Sequence, residues 1–185
     1  MAQSRELPGV IAWLDSASER LGRSLSWLVL AMMLIQFLIV VLRYIFSFNS
    51  IPMQESVMYM HAAVFMLAAA WTLKHDGHVR VDIFYRAMTP KRKALVDLCG
   101  TLFLLLPVMI FVILSSTGYV SKSWVILEGS PDSGGIPGVF LLKTLIPLFA
   151  GLMILQALVE AVKNLYVLTG RIAAAHEDEA HEEHL

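Results

Sequence analysis

Apolar residues in this chain do not alternate or keep to one helical face. They run on in four long blocks, at about 25–46, 53–73, 94–120 and 139–168. Each block reaches the roughly 20 apolar residues that a helix needs to cross a bilayer, and helices that are apolar all round belong in lipid or in a deep core. The pattern predicts an all-α integral membrane protein with four transmembrane helices. The break "SFNSIP" after the first block is short, so spans one and two form an antiparallel hairpin. The break "EGSPDSGGIPG" at 128–138 is rich in turn formers and reads as an irregular loop. Pro107 and Pro147 fall inside spans three and four, where a kink is tolerated if neighbours satisfy the freed carbonyl.

Outside the spans the pattern changes. In residues 1–24, Ile11, Leu14, Ala17, Ser18 and Leu21 keep helical spacing, with Asp15, Glu19, Arg20 and Arg23 mostly elsewhere. That is an N-terminal amphipathic segment, either lying in the membrane interface before turning into span one or running on as one continuous helix. Between spans two and three, Ile83, Phe84, Ala87 and Met88 suit a brief surface helix, and Thr89-Pro90 reads as an N-cap followed by proline at the first helical position. Residues 169–185 form an acidic, His-containing tail that reads as disordered. The domain plan is therefore the 1–24 segment, a membrane domain over 25–168, and the tail, with no internal repeat.

Composition strengthens the reading. With 57% of 185 residues hydrophobic and 16% charged, a soluble domain of this size could not bury its apolar surface. The formal charge of −1 hides an asymmetry, because the last ten residues hold five acids and no Lys or Arg. The remaining 175 carry fourteen basic against ten acidic groups. Six of the fourteen Lys and Arg lie between the second and third spans: Lys74, Arg80, Arg86, Lys91, Arg92 and Lys93. Arg5, Arg20, Arg23, Lys163 and Arg171 fall on the same side, leaving only Arg43, Lys122 and Lys143 opposite. By the positive-inside rule, both termini and the 72–93 loop are cytoplasmic. Trp27, Trp71 and Tyr166 then mark the inner interface, and Tyr44, Tyr119 and Trp124 the outer one. The first block begins after 24 residues and exceeds a signal-peptide core, so it is expected to be a retained anchor. The single Cys99 allows no intrachain disulfide.

Candidate chemistry is sparse. Arg43, Glu55, Asp97, Lys143, Glu160 and Lys163 all lie within about two turns of a membrane face, where snorkelling or pairing lowers the cost of charge. Lys93 and Asp97 are spaced for a local helix pair, as are Glu160 and Lys163. No series of acids crosses the midplane, so the chain is not expected to conduct an ion or solute by itself. His61 is the exception, well inside span two. It reads either as an ion-coupled site or, more plainly, as a neutral imidazole bonded to another helix. Gln36 and Gln156, near the middles of spans one and four, read as interhelical glue. The set Ala62, Ala63, Ala68, Ala69 and Ala70 lets another helix approach span two closely. His176, His181 and His184 match no metal-ligand spacing, and there is no phosphate loop, nucleophile elbow or HExxH sequence. No cofactor, nucleic-acid partner or enzymatic activity is expected.

Five segments carry a family resemblance: "RYIF" closing span one, "QES" opening span two, "DGHVRVDIFYR" in the inner loop, "GSPDSGGIP" in the outer loop and "LKTLIPL" in span four. Over about 10–168 the chain resembles the small membrane subunit of tripartite ATP-independent periplasmic (TRAP) transporters; the tail is not part of the pattern. The resemblance implies a non-catalytic partner. In that family a large permease subunit carries the substrate and sodium sites and moves as an elevator. The small subunit packs on its stationary scaffold, and a periplasmic solute-binding protein delivers an organic acid or similar solute. It further implies that Arg43 and Glu55, which flank the short outer loop, pair with each other. Arg80 and Asp82 would tie the inner loop to neighbouring helices or lipid phosphates. The outer loop with Pro131, Asp132, Gly134 and Gly135 would either touch the binding protein or merely connect two spans. The rival reading is an assembly or scaffold subunit of an unrelated membrane complex.

Overall fold

The computed structural model describes residues 9–79 and 82–170. Four helices in it are long and apolar enough to cross a membrane. The first, α1 (Gly9–Ile45), is one unbroken helix of 37 residues, so of the two readings of the N-terminal segment the continuous helix is the one formed. At 1.5 Å per residue it is about 55 Å long against a hydrocarbon core of about 30 Å. Its first turns therefore extend past the apolar block.

Helix α2 (Ile51–Lys74) returns beside α1 after a short turn, as the break in the apolar pattern predicts. Pro52 sits in its first turn, where a missing N–H costs nothing. Its end is closed by Asp76 in the left-handed region (φ 52°). The Gly77 amide then reaches the Thr72 carbonyl at 2.9 Å and the Asp76 amide that of Leu73 at 3.2 Å. These two bonds satisfy carbonyls that a helix end leaves open. The short α3 (Asp82–Tyr85) follows, with Ile83 and Phe84 exposed. Arg80 and tail residues 171–185 lie outside the described residues; Asp82 is the first residue of α3.

The third crossing runs from Pro90 to Val125 as α4 (Pro90–Gly100), one π-helical turn (Thr101–Leu105) and α5 (Leu106–Val125). Thr89 precedes α4 in extended conformation with Pro90 in the first turn, although the Thr89 hydroxyl makes no capping bond. Pro107 explains the π turn. It has no amide proton, and its ring crowds the carbonyl four residues back. The ladder widens instead, with the Leu106 amide reaching the Thr101 carbonyl.

Helix α6 (Val139–Leu168) is the hub, packing against α1, α2, α4 and α5. It can do so because its inward residues are small: Ala150 and Ala157 are fully buried. In lipid, apolar burial gives helices little reason to associate, so close van der Waals contact has to supply it. Ala70 of α2, Met109 of α5, and Ala150 and Met153 of α6 form the core cluster. Large apolar side chains such as Phe37, Phe103, Phe111 and Leu114 point outward, as a bilayer solvent requires.

Candidate functional site

Polar side chains collect at the two ends of the bundle. At the end where α2 finishes and α6 finishes, the part of α1 that precedes the first span brings Asp15 and Glu19 against both helices. Lys163 Nζ lies 2.7 Å from Asp15 Oδ1, and Lys74 Nζ lies 3.0 Å from Asp15 Oδ2. Lys74 also reaches Glu19 at 3.3 Å, and Arg23 reaches Glu19 at 3.1 Å. Lys163 pairs with Glu160 at 3.0 Å, as the local spacing predicts, and Gln156 donates to Glu160 at 2.8 Å. Burial pushes the Asp15 carboxyl up, but hydrogen bonds and charge from Lys163 and Lys74 outweigh it and hold the group below its ordinary value. Glu19 is held low in the same way, desolvation being outweighed by Arg23 and Lys74. Nearby, the α3 residue Tyr85 donates to Asp97 of α4 at 2.6 Å, and Lys93 lies over the Tyr85 ring, 5.3 Å from its centroid.

The opposite end is closed by Glu55. The Ser130 hydroxyl donates to Glu55 Oε1, and the Ile136 amide donates to Oε2 at 2.5 Å. Both carboxylate oxygens are thus committed to the 128–138 loop, and the pairing with Arg43 is not formed. The loop chain must pass close to this carboxylate. A Cβ on Gly135 would lie 2.6 Å from Glu55 Oε1, so any larger residue has to displace that carboxylate and Ser130. Gly134 (φ 81°) turns the chain through a conformation that favours glycine. Asp132 takes part by backbone, its amide donating to Ser130 Oγ at 3.0 Å and its carbonyl accepting from Gly135 at 3.0 Å. Pro131 lies exposed at the tip beside it. Lys143 fastens the loop's start through Glu128 at 2.5 Å, which holds that half-buried carboxyl below its ordinary value. The loop is therefore irregular yet pinned to α2 and α6.

The mid-span polar residues part ways. Gln156 is buried, but its hydrogen bond runs to Glu160 of the same helix rather than to another span. Gln36 and His61 are exposed on the outside of the bundle, and among the described residues neither has a hydrogen-bond partner. His61 only stacks on Phe65, ring centroids 6.4 Å apart. The interhelical bonds expected of these two are therefore not made within this chain. Among the described residues no cluster of His, Cys, Asp and Glu could hold a metal ion.

Sequence reasoning missed the network's centre. Asp15 and Glu19 read as the solvated face of an amphipathic segment, and Glu128 and Ser130 as loop residues. A usable signal was there: Asp15 and Glu19 sit four apart on one helix, facing a Lys at each of two helix ends.

No curated protein and no solved structure is detectably similar to this chain. A family model described as "Tripartite ATP-independent periplasmic transporters, DctQ component" matches residues 32–166. That family is a transporter component rather than an enzyme, and the match takes in the four-helix membrane domain from the middle of α1 to near the end of α6. The chain belongs to the DctQ family, and is a small permease component of a TRAP transporter.

Proposed function

We propose that this chain is the non-catalytic small subunit that packs on the stationary scaffold of a large permease subunit. In this role it supports ion-gradient-driven uptake of an organic acid or similar solute delivered by a periplasmic binding protein. The membrane is a bacterial inner membrane, with both termini and the 72–93 loop cytoplasmic and the 128–138 loop periplasmic. One observation carries the reading: among the described residues the ion pairs sit at the ends of the bundle, and no ionisable row crosses its middle. A carrier acting alone needs polar groups at mid-membrane, where charge is costly and therefore functional. A braced bundle suits a support. Arg80 and Asp82 stay assigned to holding the inner loop, and Pro131, Asp132, Gly134 and Gly135 to a pinned surface offered to the binding protein.

The test is purification of the chain from native membranes in mild detergent with mass spectrometry of its companions. One-to-one recovery with a multi-span permease, and loss of uptake when the chain is deleted, are the expected results. Recovery alone, or with an unrelated complex, overturns the proposal.

A further inference from the structure

Gln36 and His61 are the feature that the bundle leaves unexplained. Each lies near the middle of a span, at the depth where lipid offers no hydrogen bond, and each is exposed. Other exposed hydroxyls in the spans satisfy themselves: Ser115 donates to the Val112 carbonyl at 3.2 Å and Thr117 to that of Ile113 at 2.6 Å. His75 likewise bonds the Trp71 carbonyl at 3.0 Å, whereas Gln36 and His61 make no such local bond among the described residues.

The two residues belong to one face. A shallow crevice runs between α1 and α2, walled by Gly22, Ser26 and Val29 on one side and Val64, Ala68 and Trp71 on the other. Gln36 lies two turns beyond Val29 toward the 46–50 turn, and His61 about one turn beyond Val64 in the same direction. Their depths therefore differ by about 6 Å at 1.5 Å per residue. Along α2 the exposed residues Gln54, Met58, His61 and Phe65 follow each other at helical spacing, and Met33 and Phe37 flank Gln36 on α1. The face combines a shallow groove, in which Ser26 and Ala68 are small residues, with Met, Phe and two hydrogen-bonding groups. By contrast α5, which does not pack on α1, shows the bilayer Phe111 and Leu114.

Resting on the function proposed above, we infer that the outward face of the α1–α2 hairpin, centred on Gln36 and His61, seats a membrane-spanning helix of the large permease subunit. That helix supplies hydrogen-bonding groups to the Gln36 amide and the His61 imidazole. A lipid tail could fill the groove but would leave both groups unpaired. The occupant is a helix of the other membrane component because a multi-component transporter must join its membrane parts somewhere, and among the described residues it is this face that carries mid-depth side chains with no hydrogen-bond partner.

The test places a photo-crosslinking phenylalanine analogue at Met33, Phe65, Phe111 or Leu114 in the full chain, expressed with its transporter. Adducts with the large permease, identified by mass spectrometry, are expected from Met33 and Phe65 and not from Phe111 or Leu114. In parallel, Gln36→Leu and His61→Leu should each lower co-purified permease about three- to tenfold, the range of one interhelical hydrogen bond in a membrane. Gln36→Asn and His61→Gln should retain it, and all four variants should keep the helical content of the parent. Adducts of Met33 and Phe65 with lipid only, or with a second copy of this chain, overturn the inference. So does full recovery with both leucine variants. If the permease co-purifies but links through Phe111, the face is wrong and the proposed function stands; if no permease co-purifies, both fall.

Discussion

Asp15 and Lys163 are separated by 148 residues, yet their side chains meet at 2.7 Å, joining the first helix to the last. Lys74 completes the contact from α2 at 3.0 Å, so one carboxylate holds three helices. The groups are largely covered, with Lys74 at 15% exposure and Lys163 at 28%. Removing the Asp15 charge leaves two lysines close together without their shared acceptor. Asp15→Asn should therefore destabilise the detergent-solubilised chain by about 1–3 kcal/mol, the cost of losing charged hydrogen bonds. A thermal unfolding series with Asp15→Asn, Lys163→Met and the double variant checks this. Additive effects in that cycle would show that the two residues are not coupled.

The same carboxylate sets a pH dependence. Its folded pKa lies below the ordinary value, so its contribution is fully present above the unfolded value, near 4, and is lost as pH falls through the folded one. The unfolding midpoints of the parent and Asp15→Asn should stay a constant distance apart from about pH 5 to 8 and converge below about pH 4. A gap that persists to about pH 2 would mean that the carboxylate's charge is not what holds the helices.

The spans were legible because a bilayer demands long apolar runs whatever the tertiary structure. The sequence-based limits of 53–73 and 139–168 match helices Ile51–Lys74 and Val139–Leu168 to within two residues. The faces were not legible. A helix apolar all round has no stripe to point inward, so Gln36 and His61 passed for interhelical glue although they face outward. Glu55 was recognised as a boundary residue, but its partner is Ser130 on the far loop rather than Arg43 nearby. Pairings of that kind depend on which helices adjoin, and that depends on small residues such as Ala150 and Ala157 deep in α6. The unbroken α1 belongs to the same class: what holds its first turns in line is a set of lysines on other helices.

Gly135 offers a sharper probe of the pinned loop than Glu55 itself. A methyl group there would meet the Ser130 side chain and Glu55 Oε1, the two groups whose hydrogen bond pins the loop, so making room for it separates them. Gly135→Ala should release the Ile136 amide, now held at 2.5 Å by Glu55 Oε2. Amide exchange over 128–138 should then accelerate by about ten- to hundredfold, matching the loss of hydrogen bonds to a charged acceptor. Exchange in α5 should be unchanged. Glu55→Gln should accelerate the same amides less, since it keeps an acceptor while losing the charge.

Gly22 lies where α1 passes close to Trp71 of α2, and its effect can be separated from that of charge. A Cβ at Gly22 would collide with the Trp71 ring and lie 2.8 Å from its Nε1, because α1 passes directly over the indole. The ring cannot easily retreat. It meets the His75 ring in a tilted contact, centroids 4.4 Å apart, and His75 in turn reaches Glu19 at 3.3 Å. Gly22→Ala must therefore push the helices apart where Asp15 and Glu19 make their ion pairs. The gain in helix propensity from replacing glycine is about 1 kcal/mol, and overpacking a close contact costs about 1–3 kcal/mol. The variant should be neutral to about 2 kcal/mol less stable by thermal unfolding. Combining Gly22→Ala with Trp71→Leu removes the obstacle, so that in the Trp71→Leu background the alanine should instead stabilise by up to about 1 kcal/mol. That reversal of sign is the readout. An alanine that acts equally in both backgrounds would mean that Trp71 does not set the spacing of the hairpin.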